Sequence, residues 1–270
     1  MTIEPSQLWQ GAGTSSAAPF PRLRTAYLRA IARAWREPDY LAELVKKSKE
    51  ESDGVLHLLE KEYNFDFPFN VKFAISVDPP RPSWRPNESI GWLAHKDEIS
   101  IILPRSPAAA DKGKGELADA LALYCEWFPS MLGPPKDGVT QPPDDFAEFG
   151  VITARLLAIA WNDKSFADDL AAPDDARGLV QASMGIIVHW NFKLKFSFLE
   201  WDEFWKDILP PAGQPRNSIP ARVVLPARVT IPPRVAITVN IPKEPLDKAI
   251  WPIALAAYND TGPQYPFTCA

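Results

Sequence analysis

The sequence is poor in the residues that do chemistry. Its two cysteines, Cys125 and Cys269, are too few and too far apart for a disulfide framework or a metal knuckle. Its three histidines, His57, His95 and His189, show no ligand spacing: His57 reads as a helix-face residue, His95 as part of a loop and His189 as the start of a strand. No Gly-x-Ser-x-Gly elbow occurs, and neither "GAGTSS" at Gly11 nor "KGKGE" around Gly113 has the flanking strand or the Lys-Ser/Thr ending of a phosphate cradle. Basic charge is not in excess either; 29 Lys and Arg against 34 Asp and Glu give a net charge of -5, with no footprint for nucleic acid. No run of about 18 apolar residues occurs, as a membrane span needs, and the opening "MTIEPSQLWQ" lacks the pattern of a secretory signal. These absences predict a soluble cytoplasmic chain with no metal, no cofactor and no active site of its own.

What is present is core and repetition. Hydrophobic residues make up 46% of the chain, with 10 Trp, 14 Phe and 6 Tyr to fill an interior. "ARAWREPDYLAEL" returns as "AIAWNDKSFADDL", which aligns Trp35 with Trp161, Tyr40 with Phe166 and Leu44 with Leu170 at an offset of 126. The apolar spacing of three and four is that of an amphipathic helix. "FNVKFAISVD" from Phe69 resembles "WNFKLKFSFLE" from Trp190 at an offset of 121, each alternating large residues with period two as a half-buried strand does. "ISIILP" closing at Pro104 matches "ITVNIP" closing at Pro242 at an offset of 138, and "ALALYCEWF" from Ala120 matches "ALAAYNDTG" from Ala254 at 134. Four blocks in one order predict an α+β fold of two tandem copies, each with N-terminal helices, a small antiparallel sheet and a C-terminal helix. On its helix Cys125 shares a face with Leu121 and Phe128, which predicts a packing role.

The repeats divide the chain into a flexible arm 1–22, a first copy 23–133, a Pro/Gly linker 134–145, a second copy 146–258 and a tail 259–270. The second copy carries a Pro-Arg-rich insertion, 210–235, whose six-residue rhythm puts Arg222, Arg228 and Arg234 on one side of an extended chain. Its prolines confine it to an edge strand or an extended arm. The arginines are either edge protection or a stripe for an acidic partner.

The tail ends in "YPFTCA". After Tyr258 the second copy passes to the turn formers Asn259-Asp260-Thr261-Gly262-Pro263, which predicts a flexible, extended tail that contains Tyr265, Phe267, Thr268 and Cys269. The Cys269 thiol can attack the carbonyl carbon of Thr268, and the Thr268 hydroxyl that of Phe267; loss of water would leave a thiazoline and a methyloxazoline. Neither closes unaided, because an amide is a poor electrophile and a free thiol is mostly protonated at neutral pH. The tail is therefore a candidate substrate, with Thr268 and Cys269 as modification sites and Thr261, Gly262, Tyr265 and Phe267 as further core-peptide positions.

The repeated "AW...Y/F...L" helix, the strands that close in "LP" or "IP", the Ala-Leu-Ala-x-Tyr helix and the final "YPFTCA" together resemble precursors of ribosomally made, modified peptides whose leader derives from the nitrile hydratase alpha subunit. More narrowly they resemble the Burkholderia-type two-copy thiazole/oxazole-modified microcin (TOMM) bacteriocin precursors. The resemblance implies a nitrile hydratase alpha-like leader that docks a cyclodehydratase using ATP or an iron-dependent oxidase. It also implies a peptidase that cuts the product free and an exporter. It does not imply hydratase activity, because the three-cysteine metal cluster of that enzyme is missing here. The alternative is a non-catalytic tandem scaffold whose tail or arginine stripe docks a partner protein.

Overall fold

A computed structural model describes residues 19–50, 54–65, 67, 70–77, 81–85, 92–93, 97–107, 114–131, 144–185, 192–206 and 233–261. The first copy opens with helices α1 (Pro19–Arg36), α2 (Pro38–Glu50) and α3 (Gly54–Tyr63). The strand β1 (Val71–Ser76), the short hairpin of β2 (Ser83–Trp84) and β3 (Trp92–Leu93), the strand β4 (Asp97–Pro104) and helix α4 (Lys114–Met131) follow. The second copy repeats the plan with α5 (Asp144–Asn162), α6 (Lys164–Ala171), α7 (Arg177–Met184), β5 (Phe192–Leu199), a single turn α8 (Trp201–Trp205), β6 (Val235–Asn240) and α9 (Trp251–Thr261).

Local chemistry sets several boundaries. Pro38 cannot continue α1 but suits the first turn of α2, so the two helices meet at Glu37. Asp163 caps α6 by accepting from the Ser165 and Phe166 amides. Gly185, at φ 64, ends α7 in the left-handed conformation and returns its N–H to the Gln181 carbonyl.

The sheet differs from the expectation of one small antiparallel sheet per copy. Among the described residues β1, β6, β4 and β5 lie side by side in that order in one mixed sheet. β1 of the first copy runs parallel to β6 of the second, and β4 of the first runs parallel to β5 of the second. The two inner strands, β4 and β6, are antiparallel. Each copy therefore lends its second strand to the partner of its twin.

The register makes this a pseudo-two-fold. Ile99 pairs with Ile237, its own counterpart at the offset of 138. In an antiparallel pair a residue that faces its own equivalent marks a two-fold axis. The outer pairs obey the same symmetry: Val71 is in register with Val235, and their counterparts Phe192 and Asp97 are in register with each other. Alternation of large residues shows which face of a strand is buried but not which strand lies beside it, so neighbour choice could not be read from the sequence.

The helices follow the exchange. The apolar face of β1 and β6, with Val71, Phe73, Ile75, Ile237 and Val239, is buried, with α2 and α3 of the first copy packed on β1 and α9 of the second packed on α1. The face of β4 and β5, with Ile99, Ile101, Leu103, Leu194 and Phe196, is covered by helices of the second copy, and α4 of the first packs on α5. Burial of these side chains, at about 25 cal/mol per Å² of apolar surface, is the main stabilising term. Each half of the core is built from both copies.

Three further expectations change. Residues 210–232 of the Pro-Arg insertion lie outside the described residues, but its last residue, Val235, opens an interior strand rather than an edge. Beyond Pro233 no proline removes a donor, so pairing on both sides is allowed. Cys125 is exposed rather than packed, because Ala120, Tyr124 and Phe128 form the buried stripe and Cys125 stands one position out of phase. Helix α9 continues through Asn259 and Asp260 to Thr261, so the first residues assigned to the tail are helical. His57 is indeed on an exposed helix face, 3.7 Å from Glu60. His95 and His189 lie outside the described residues. Helix α8 turns Phe204 and Trp205 inward and leaves Asp202 and Glu203 outside.

Candidate functional site

The candidate modification residues Thr268 and Cys269, with Gly262, Tyr265 and Phe267, lie outside the described residues. Thr261 is the final residue of α9. The base from which that segment departs is built by both copies. The Tyr27 hydroxyl on α1 lies 3.2 Å from the Tyr258 hydroxyl on α9, and both donate to the Asn240 carbonyl at the end of β6. Next to them the Trp92 indole donates to the Ala254 carbonyl at 2.9 Å, and the Trp35 indole donates to the Pro242 carbonyl at 2.9 Å. Trp35, Trp92 and Trp251 form an aromatic cluster, with Trp35 and Trp92 stacked at 6.2 Å. Because Trp251 meets Trp35 while Tyr258 meets Tyr27, α9 runs antiparallel to α1 and delivers Thr261 to the N-terminal end of α1.

The symmetric base differs where it matters. Trp161 repeats the Trp35 contact by donating to the Pro104 carbonyl at 3.0 Å. Tyr124 and Thr153 stand where Tyr258 and Tyr27 stand, and their side chains are hydrogen-bonded. Beyond them the buried Phe128 ring lies against Gly150 so closely that a Cβ there would be 2.9 Å from two ring carbons. At the equivalent positions of the other base the sequence has Gly262 and Arg24, which cannot make that contact. Helix α4 spans Lys114–Met131 and α9 spans Trp251–Thr261.

One buried carboxylate was not anticipated. Asp97 is fully buried at the start of β4 and accepts the Asn240 amide at 2.7 Å, which ties the inner strands together at the tail base. Burial pushes its pKa up to about 7, against the Asn240 backbone and side-chain hydrogen bonds that favour the charge. The alternation of Asp97 with Ile99, Ile101 and Leu103 already put it on the inward face, and that signal could have found it. Burial likewise raises the Tyr124 and Tyr40 phenols. On the other face Lys193 and Lys195 pair with Asp174 and hold its carboxyl down at about 2.

Of the arginine stripe, Arg222 and Arg228 lie outside the described residues, and Arg234 does not face solvent. It is buried, donates to the Phe204 carbonyl at 2.7 Å and lies 4.9 Å over the Phe204 ring. With β6 inside the sheet, the residue that leads into it is drawn into the core, so Arg234 serves packing and not an exposed stripe. Among the described residues no three His, Cys, Asp or Glu gather as metal ligands, and no described helix is long and apolar enough to cross a membrane.

No curated protein and no solved structure matches the chain. The sequence model of a family described as "Ribosomal natural product, two-chain TOMM family" matches it twice, over residues 19–132 and 144–266, which leaves Phe267 to Ala270 beyond the matched part. The doubling of that match is the doubling that the strand exchange makes visible, and the chain belongs to this family of ribosomal natural products.

Proposed function

We propose that the two-copy body is a folded leader and that the segment after α9, Gly262 to Ala270, is the core peptide on which maturation enzymes act. The observation that carries this reading is the contrast between the two bases. The main helices and strands of the first copy recur in the second up to α9, where Gly262 and Arg24 stand at the positions of Phe128 and Gly150. At the offset of 134, residues 262–266 still align with the end of the first copy, and Phe267 to Ala270, which include the adjacent Thr268 and Cys269, lie beyond the repeat and beyond the family match.

The chemistry assigned to the tail is heterocyclisation. The Cys269 sulfur adds to the Thr268 carbonyl carbon after a cyclodehydratase has activated that amide oxygen by transfer of phosphate from ATP. Elimination of the oxygen as phosphate and loss of the amide proton leave a thiazoline, with one water lost overall. The Thr268 hydroxyl can add to the Phe267 carbonyl in the same way. An iron-dependent oxidase, with molecular oxygen as the oxidant at Cys269, is the other maturation enzyme this tail suits. A peptidase and an exporter then release a bacteriocin-like product, and the body acts as a nitrile hydratase alpha-like leader that docks these enzymes.

Intact mass of the chain from a producing cell tests the reading. Each ring is expected to remove about 18 Da, the mass of one water, and Cys269→Ser should abolish or change the loss at sulfur. A tail of unmodified mass under producing conditions would count against it. In the alternative scaffold reading the chain only docks a partner, and Cys269→Ser should leave partner binding unchanged; the buried Arg234 already removes one arm of the stripe that reading uses.

A further inference from the structure

The copies are joined by contacts of two kinds. Some repeat at both bases: the Ile99–Ile237 register, the Trp35 indole on the Pro242 carbonyl and the Trp161 indole on the Pro104 carbonyl. A contact that each copy makes with its twin in the same way holds two copies together without choosing which two, because two first copies or two second copies would make it as well. The remaining contacts differ between the bases, and only these choose.

The buried Phe128 ring of α4 fits against Gly150 of α5, where a Cβ would stand 2.9 Å from two ring carbons. Knob and gap lie on opposite copies: at the position of Gly150 the first copy has Arg24, and at the position of Phe128 the second has Gly262. Two first copies would set Phe128 against the Cβ of Arg24 at both bases, an overpacked contact. Two second copies would set Gly150 opposite Gly262 and leave the place of the ring empty at both. The inner strands differ as well. The Asn240 amide donates to the buried Asp97 carboxylate at 2.7 Å, whereas its equivalent at the offset of 138, the Ile102 amide, donates to the Arg234 backbone carbonyl at 2.8 Å. Two first copies would bury two Asp97 carboxylates, each with Ile102 in place of Asn240, whose side-chain amide lies 3.4 Å from the carboxylate. On the outer side of α9, Trp92 meets Tyr258 at 5.6 Å and donates to the Ala254 carbonyl at 2.9 Å. In the other base Phe204 meets Tyr124 at 6.3 Å and has no N–H to give, so two second copies would lose that donor at both ends.

We infer that the face between the copies is a pairing surface with a built-in choice, which accepts one first copy with one second copy and rejects either copy with itself. The partner of each copy is the other half of this chain, in the same molecule or in a second one. The consequence is stoichiometric. Two second copies would present two tails and two first copies none, while the mixed pair presents one, even when the linker no longer joins the halves. The first copy, which ends without a Thr-Cys pair, thereby gains a role of its own: it supplies Phe128, β4 and Trp92 to complete the copy that bears the tail.

The full chain tests this after a cut in its linker. A protease site placed between 134 and 143 is cleaved, and the two pieces are unfolded together in denaturant. The pairs that form when the denaturant is removed are weighed by native mass spectrometry, which separates the mixed pair from the two like pairs. Without preference about half of the pairs would be mixed and about a quarter would be of each like kind. The mixed pair should instead exceed each like pair about tenfold or more. Arg24→Gly with Asp97→Val gives the first copy the gap and the strand residue of the second, so pairs of two first copies should rise about threefold or more. If that chain refolds poorly, Phe128→Leu, which shrinks the knob, should raise the same pairs. A random or like-pair distribution from the parent overturns the assignment, as do pieces that stay apart or variants that leave first-copy pairs at the parent level. The readout is pairing alone, so an unmodified tail in producing cells counts against the precursor reading and leaves this result standing.

Discussion

At the scale of single residues, the two bases make opposite demands on one position. Gly150 receives the Phe128 ring, and a Cβ at 2.9 Å from it requires the buried ring or the helix to move. Gly150→Ala should therefore lower stability by about 1–3 kcal/mol, as overpacking does, although alanine is worth about 1 kcal/mol more than glycine within a helix. Thermal melts of Gly150→Ala and of Gly150→Ala with Phe128→Leu check this; the second change should restore part of the loss. The buried Asp97 gives a signed pH effect. Its folded pKa, about 7, lies above the ordinary value of 3.8, so the folded state binds the proton more tightly than the unfolded chain. Its contribution is most favourable below pH about 4, declines as pH rises toward 7 and is constant above that. Asp97→Asn, which keeps an acceptor for the Asn240 amide, should flatten stability between those limits, as read by denaturant titrations at pH 4.5 and 7.5. Asp174 has the opposite sign, since Lys193 and Lys195 hold its carboxyl low and its contribution fades only as pH falls toward 2.

At the scale of elements, the contacts that tie helix to strand come in symmetric pairs. Trp35 on α1 and Trp161 on α5 donate to the prolyl carbonyls at the ends of β6 and β4, each across to the other copy. Trp35→Phe and Trp161→Phe should each cost about 1–3 kcal/mol, because a carbonyl that had a partner loses it. Trp35→Phe should cost more, since Trp35 also stacks on Trp92 and touches Trp251. Equal unfolding midpoints for the two variants would show that the aromatic cluster adds nothing. The four blocks and their order were legible because helix and strand periodicities are local. Thus α1 and α5, and the buried alternation of β1, β4 and β6, lie where the matched stretches put them. The extension of α9 to Thr261 was not legible, because Asn, Asp and Thr are turn formers by propensity, and packing of Tyr258 on Tyr27 outweighs that preference. The outward phase of Cys125 was misread because Leu121 and Phe128 suggested a stripe that the real one, through Tyr124, displaces by one position.

At the scale of the whole molecule, strand exchange makes the copies interdependent. The linker between the matched regions joins the end of α4 to the start of α5, two helices that already pack on each other. Cutting the chain there, by a protease site placed between 134 and 143, should leave both pieces in one particle of unchanged size by gel filtration, with helical signal retained. The first copy expressed alone should lack a stable monomer, because its helices would have no β6 or α9 to cover them. A folded, monomeric first copy would contradict the exchange. Co-expression of the two pieces should restore the particle, as domain-swapped partners do.

The sequence by itself determined the composition of the core, the doubling of the plan, the places of helices and strands and the chemistry open to a Thr-Cys pair. Periodicity and reactivity are properties of residues and their near neighbours. Only the tertiary structure decided that Ile99 faces Ile237, that Arg234 and Asp97 turn inward, and that α9 runs back along α1. Strand partners are chosen by the summed burial and hydrogen bonding of the whole sheet, and no local pattern encodes which copy supplies the neighbour.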